Sequence, residues 1–194
     1  RGEQNPVPYI SGGNSFEGSV QRASGISDDE YRKMIGDHLG SARTLYSDDP
    51  DDIWLTRMFG DNRYLLSARL LTGAMAKVSS PSWRYYHDFL SSDQAGQPGT
   101  NHGFDARYLF GGHLHKDPAT RVLAMSWRRY WVSFAQTGNP NDPSSADWQA
   151  VDTMSDNWLL INNEGFESTE RVIGTKLDLI EKVYRQRVSP ALSS

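Results

Sequence analysis

Val7-Pro8-Tyr9-Ile10-Ser11-Gly12-Gly13-Asn14-Ser15-Phe16-Glu17-Gly18 begins as an extended run and breaks into a glycine-rich turn. Pro6 and Pro8 exclude a helix interior, because each removes an N–H donor and fixes φ. The turn delivers a carboxylate, Glu17. Much further along, Thr100-Asn101-His102-Gly103-Phe104-Asp105-Ala106-Arg107-Tyr108-Leu109-Phe110-Gly111 sets a histidine on a glycine-flanked loop. A carboxylate and an imidazole can together activate a nucleophile. The ring takes the proton, and the acid fixes its tautomer and stabilises the cation. Glu17 and His102 are far apart in sequence, so only the fold can join them.

An acid followed by a histidine is also the chain order of the last two members of an α/β-hydrolase triad, Ser…Asp/Glu…His. The first member is missing. No Gly-x-Ser-x-Gly elbow occurs in the 194 residues. The nearest miss, Gly13-Asn14-Ser15-Phe16-Glu17, has Glu where the second glycine should stand. With no cysteine in the chain, a thiol nucleophile, a disulfide frame and a thiolate metal site are excluded as well.

A chain of 194 residues can bury a real core. A net charge of −4 gives no electrostatic reason to expect nucleic acid or an anionic membrane as partner. No apolar run approaches the roughly 18 residues of a membrane span. Arg1-Gly2-Glu3-Gln4-Asn5-Pro6 has no apolar leader core. The lack of cysteine favours a reducing or prokaryotic setting, and a disulfide-free secreted protein also fits, so the compartment stays open between cytoplasm and periplasm or secretion.

Ser27-Asp28-Asp29-Glu30 reads as a capping box opening a helix that stops at Gly40. Asp48-Asp49-Pro50-Asp51-Asp52 lacks the alternating ligands of a calcium loop and reads as a solvated helix entry. A second helix is expected over 61–79, with Asp61 as its N-cap and Pro81 beyond its end. Trp83, Tyr85, His87 and Phe89 alternate with Arg84, Tyr86 and Asp88, the period of a strand. A loop over 91–101 leads to His102. The longest helix is expected over 118–136, closed by Thr137-Gly138-Asn139-Pro140. Trp158-Leu159-Leu160-Ile161 and Thr169-Glu170-Arg171-Val172-Ile173 read as late strands, and 176–187 as a last helix. Strands separated by helices imply parallel crossover units, but so few strands leave a sheet short of partners.

With these pieces in place, the chain resembles the type-B carboxylesterases, α/β-hydrolases that include cholinesterases and bacterial para-nitrobenzyl esterases. The likeness runs from about Pro6 to Trp148 and more faintly to the last helix. Asn14-Ser15-Phe16-Glu17-Gly18 matches the family's Asn-x-x-Glu-Gly turn, and Phe59-Gly60-Asp61 its Asp-headed helix. His102-Gly103-Phe104-Asp105 is similar to His-Gly-x-Glu, with Asp105 replacing Glu. Leu109-Phe110-Gly111 and the run from Trp131 through Thr137-Gly138-Asn139-Pro140-Asn141 follow in family order.

The resemblance implies the C-terminal part of an α/β-hydrolase fold, a few sheet strands with several packed helices, occupying residues 1–194 as one portion of a catalytic domain. It implies a serine carboxylic-ester hydrolase acting on a small-molecule carboxylic ester without a cofactor. Glu17 is then the triad acid and His102 the base. Asp105 and Asp61 give structural support, and the nucleophile belongs to an N-terminal portion that acts as the partner of this one. His113 and His115 could share a metal, but no third ligand is evident, so no metal is expected. His38 and His87 have no supporting context. The alternative is a cholinesterase-like binding or adhesion domain that kept the fold and lost catalysis. Retention of both Glu17 and His102 argues against it.

Overall fold

The computed structural model describes residues 3–192. Arg1-Gly2 and Ser193-Ser194, the two ends of the portion expected over 1–194, lie outside the described residues. Four strands form one sheet in the order β1-β2-β3-β4: β1 Tyr9–Asn14, β2 Ser82–His87, β3 Asn157–Asn162 and β4 Gly165–Glu170. β1, β2 and β3 run parallel, with Asn14 opposite His87 and His87 opposite Ile161. β4 folds back antiparallel on β3. The α/β class therefore holds, with a mixed rather than purely parallel sheet.

Helices cover both faces. On one side pack α1 Asp28–Ile35, α2 Leu39–Leu45, α3 Trp54–Gly60, α4 Leu66–Ala76 and α7 Gly174–Leu192. Their core holds Tyr46, Leu55, Met58, Phe59, Leu65 and Leu177 against Tyr86 and Trp158 of the sheet. On the other side, α5 Phe104–Gly111 and α6 Pro118–Thr137 bury Tyr108, Leu123, Trp127 and Tyr130 against Trp83, Tyr85, Leu159 and Ile161. Every residue of β2 is buried. Its alternation thus sorts side chains between two cores, as a strand covered by helices on both faces requires. That arrangement forces Arg84 inside, where it ion-pairs with Asp156 and lies 4.7 Å over the Trp158 ring.

Several boundaries differ from expectation. The capping box forms, with Ser27 Oγ accepting from Glu30 N at 3.3 Å and Glu30 Oε2 accepting from Ser27 N at 2.8 Å. The helix stops at Gly36 and not Gly40, because Gly36 takes a φ of +59°. Gly40 sits inside α2. Asp61 does not start a helix. It follows α3 directly and opens a π-helical turn, Asp61–Leu65, that runs on into α4. α5 was not anticipated between His102 and the long helix. β4 lies earlier than Thr169–Ile173, because Asn162 Oδ1 accepts from Glu164 N and Gly165 N and closes a hairpin there. Val172 and Ile173 pack on the first core instead.

Candidate functional site

Parallel strands put their C-terminal ends on one edge of the sheet, where open α/β folds place their chemistry. Glu17 follows the end of β1, and His102 sits on the loop that leaves the end of β2. The two loops are stitched together. Ser15 N donates to His87 O at 2.9 Å, and Phe16 N donates to Thr100 O at 3.0 Å. Ser15 Oγ accepts from Thr100 N at 2.8 Å. Arg57, on α3, donates to Ser15 O at 2.5 Å and to Pro98 O at 2.6 Å while its Nε binds Asp49. One guanidinium therefore grips both loops, and its rigid fork suits that task.

These contacts bring Glu17 Oε2 to 2.5 Å from His102 Nδ1. Glu17 Oε1 accepts from Asn14 N at 2.6 Å and from Asn14 Nδ2 at 3.1 Å. A carboxylate at Oε2 holds the proton on Nδ1, so Nε2 is the basic nitrogen. No hydrogen bond reaches His102 Nε2 among the described residues, and the His102 side chain is 42% exposed, whereas that of Glu17 is 2%. Tyr64, on the π-helical turn, backs the imidazole with ring centroids 4.7 Å apart. Ser19 Oγ accepts from the backbone N of His102 at 3.2 Å.

Burial raises the Glu17 carboxyl above its usual range, opposed by the Asn14 backbone hydrogen bond and by His102. The acid turn is held by close backbone approach. A Cβ on Gly18 would stand 1.9 Å from Thr56 O, and one on Gly60 would stand 2.2 Å from Gly18 N. Only glycine lets α3 press this near to Glu17.

Asp105 joins the site through Asn14, not through the histidine loop. Asn14 Nδ2 donates to Asp105 Oδ1 at 3.1 Å, and Tyr85 OH donates to Asp105 Oδ2 at 2.6 Å. Burial would raise Asp105, but these hydrogen bonds hold its carboxyl below the usual value. Asp61 lies apart from the Glu17–His102 contact. It is buried, and Tyr46 OH donates to its Oδ2 at 2.5 Å. Burial pushes its carboxyl up to about 6 against that hydrogen bond. Its helix nonetheless carries Gly60 and Tyr64, which do touch the site.

Of the remaining histidines, His87 lies buried opposite Asn14, and the other three stand elsewhere. His113 Nδ1 is 2.8 Å from Arg128 Nη2, His115 Nε2 is 3.3 Å from Asp93, and His38 meets Gln186. Among the described residues no cluster of three or more ligating side chains could hold a metal ion. Ser15, the nearest match to a nucleophile, is buried and engaged by Thr100. Asn14, Arg57, Tyr64 and Tyr85 were not singled out from the sequence. The Asn of the Asn-x-x-Glu turn was the one signal available, since its spacing returns the side chain to Glu17. Beside Gly18 and Ser19 opens a cleft of about 820 Å³, lined also by Gln21, Arg22, Asp28 and Thr56.

The model of the Carboxylesterase family matches residues 21–179. Over 169 residues, the chain is 27% identical to the Fumonisin B1 esterase of Sphingopyxis macrogoltabida, covering 76% of this chain and 31% of that protein. Over 118 residues it is 27% identical to the acetylcholinesterase of Bungarus fasciatus, covering 57% of this chain and 20% of that enzyme. Among solved structures, a PNB esterase superposes with a TM-score of 0.69 at 17% identity, over 90% of this chain and 38% of its own. That likeness shows the α/β-hydrolase fold. The chain thus spans only about a fifth to a third of the curated relatives' length.

Proposed function

The chain belongs to the carboxylesterase family, and from that membership we propose that residues 1–194 are the C-terminal portion of a serine carboxylic-ester hydrolase. Glu17 is its triad acid and His102 its general base. The observation that carries this reading is the 2.5 Å contact between Glu17 Oε2 and His102 Nδ1, with Nε2 left available on an exposed ring. In the reaction, Nε2 removes the proton from a serine hydroxyl as it attacks the ester carbonyl, then returns that proton to the leaving alcohol. Glu17 stabilises the imidazolium between those steps. Water repeats the sequence on the acyl-enzyme.

The serine and the oxyanion donors belong to an N-terminal portion of the same protein, since these residues contain no glycine-flanked elbow. The substrate is a small-molecule carboxylic ester, in keeping with the esterases among the relatives. A bacterial source fits the lack of cysteine. No helix among the described residues is long and apolar enough to cross a membrane.

Hydrolysis of p-nitrophenyl butyrate by the full-length protein tests the reading. His102→Ala should nearly abolish turnover, and Glu17→Gln should lower kcat by about 10³ to 10⁴. His113→Ala and His115→Ala should remain close to wild type. Full activity in His102→Ala, or a dead His113→Ala, would overturn the assignment.

A further inference from the structure

Asn14 sits between two carboxylates, 1% exposed, at the last position of β1. Its Nδ2 is 3.1 Å from Glu17 Oε1 and 3.1 Å from Asp105 Oδ1, so both amide protons are committed to anionic oxygens. Its Oδ1 is buried with no hydrogen-bond partner among the described residues. An orphaned buried oxygen is a cost the fold would normally avoid. Flipping the amide would relieve nothing, because it would aim that oxygen at two carboxylates. The orientation is therefore imposed by the acids, and the uncompensated oxygen marks a side chain selected for its NH2 end.

We propose that Asn14 is a positioning residue for the acid–histidine pair: its amide clamps Glu17 Oε1 so that Oε2 alone faces His102, and it ties Asp105 to Glu17 as a second anion behind the triad. This rests on the reading of Glu17 and His102 as triad members. The clamp has two parts. The backbone N–H of Asn14 reaches the same Oε1 at 2.6 Å, so Glu17 keeps one donor whatever stands at position 14. The amide then does two further things. It holds the carboxylate against turning Oε2 away from His102, and it separates two anions that would otherwise repel across a buried gap. Tyr85 OH, 2.6 Å from Asp105 Oδ2, anchors the far end of the chain of contacts.

The test compares Asn14→Ala, Asn14→Asp, Asp105→Asn and the double variant Asn14→Ala/Asp105→Asn in the full-length protein, with Glu17→Gln as reference. Each is assayed for kcat, KM and the pH profile of kcat/KM, and its folding is checked by circular dichroism and thermal melting. Asn14→Ala should lower kcat about 10- to 100-fold, the value of a hydrogen bond to a charged group, with KM within about twofold of wild type. The acid limb of its kcat/KM profile should move to higher pH, because Glu17 loses a donor that favours its ionised form. Asn14→Asp keeps the shape but cannot donate, so it should be at least as impaired. A packing role predicts the reverse order. The double variant should lose less than the product of the two single losses, because both act through one contact. If Asn14→Ala retains wild-type kcat and pH profile while Glu17→Gln is impaired, the positioning role is wrong and the triad reading survives. An unimpaired Glu17→Gln overturns both. If neither substitution at position 14 gives folded protein, Asn14 holds the fold and not the pair, and the inference fails.

Discussion

Replacing His87 should make the protein more stable, and increasingly so in acid. His87 ends β2, is fully buried, and stacks on Tyr108 at 5.5 Å with Trp127 at 6.2 Å. Neither ring nitrogen has a hydrogen-bond partner among the described residues. Burial lowers its pKa from 6.5 to about 4, with the nearby Asp105 opposing. The folded protein therefore keeps the ring neutral where the unfolded chain takes up a proton. As pH falls below 6.5 the unfolded state gains, and the loss is complete near pH 4. The gap corresponds to ~3 kcal/mol in all, at about 1.4 kcal/mol per pH unit. Asp61 works in the opposite sense. Its carboxyl, raised by burial to about 6, takes its proton earlier in the fold than in the unfolded chain and so stabilises the fold as pH falls from 6 towards 3.8. The wild-type pH curve mixes these with the raised Glu17 and lowered Asp105 carboxyls, and a difference curve against a variant at position 87 singles out the histidine. Phe at position 87 keeps an aromatic ring between Tyr108 and Trp127 but does not titrate. Urea unfolding of wild type and His87→Phe, followed by tryptophan fluorescence between pH 8 and 4.5, gives that curve. The advantage of His87→Phe should be constant above about pH 7.5 and grow by ~2 to 3 kcal/mol by pH 4.5. A flat difference would refute the claim that His87 is buried in its neutral form.

Two glycine substitutions test the packing that holds the acid turn. Gly60→Ala places a Cβ 2.2 Å from Gly18 N and 2.9 Å from Glu17 Cβ, so it should lower the melting temperature and esterase activity together, with about 1–3 kcal/mol of overpacking strain. Gly40→Ala, inside α2 with nothing within 4 Å of the new Cβ, should be neutral or stabilise by about 0.5–1 kcal/mol with unchanged kcat.

Much of the site was legible because its two ends are written locally. The extended run into Gly12-Gly13 and the glycine-flanked His102 are short-range signals, and strand ends set where such loops emerge. The long helix was equally plain from its closing Thr137-Gly138-Asn139-Pro140, and the structure adds Asp117 as its N-cap, accepting from Ala119 N and Thr120 N. What was not legible depends on tertiary contact. The period of β2 is the same whether one face or both are buried, so the inward Arg84 and its Asp156 partner were invisible. Asp61 carries the residue type of an N-cap, but the preceding α3 continues through it, and Tyr46 claims its carboxylate. Gly36 and Gly40 read alike in sequence, and only the backbone turn at Gly36 tells which one ends the helix. Asp105, three residues beyond His102, was expected to give structural support, but the sequence does not say to which neighbour. The strand register places Asn14 opposite His87, and Asn14 links Asp105 to Glu17.

The most direct test of the account is covalent labelling of the full-length protein with a fluorophosphonate, with the modified residue mapped by mass spectrometry. One serine, in a Gly-x-Ser-x-Gly context outside residues 1–194, should be labelled stoichiometrically. The labelling rate should collapse in His102→Ala and fall by orders of magnitude in Glu17→Gln. Labelling of a serine within these residues, or undiminished labelling of His102→Ala, would contradict the assignment of Glu17 and His102 as acid and base.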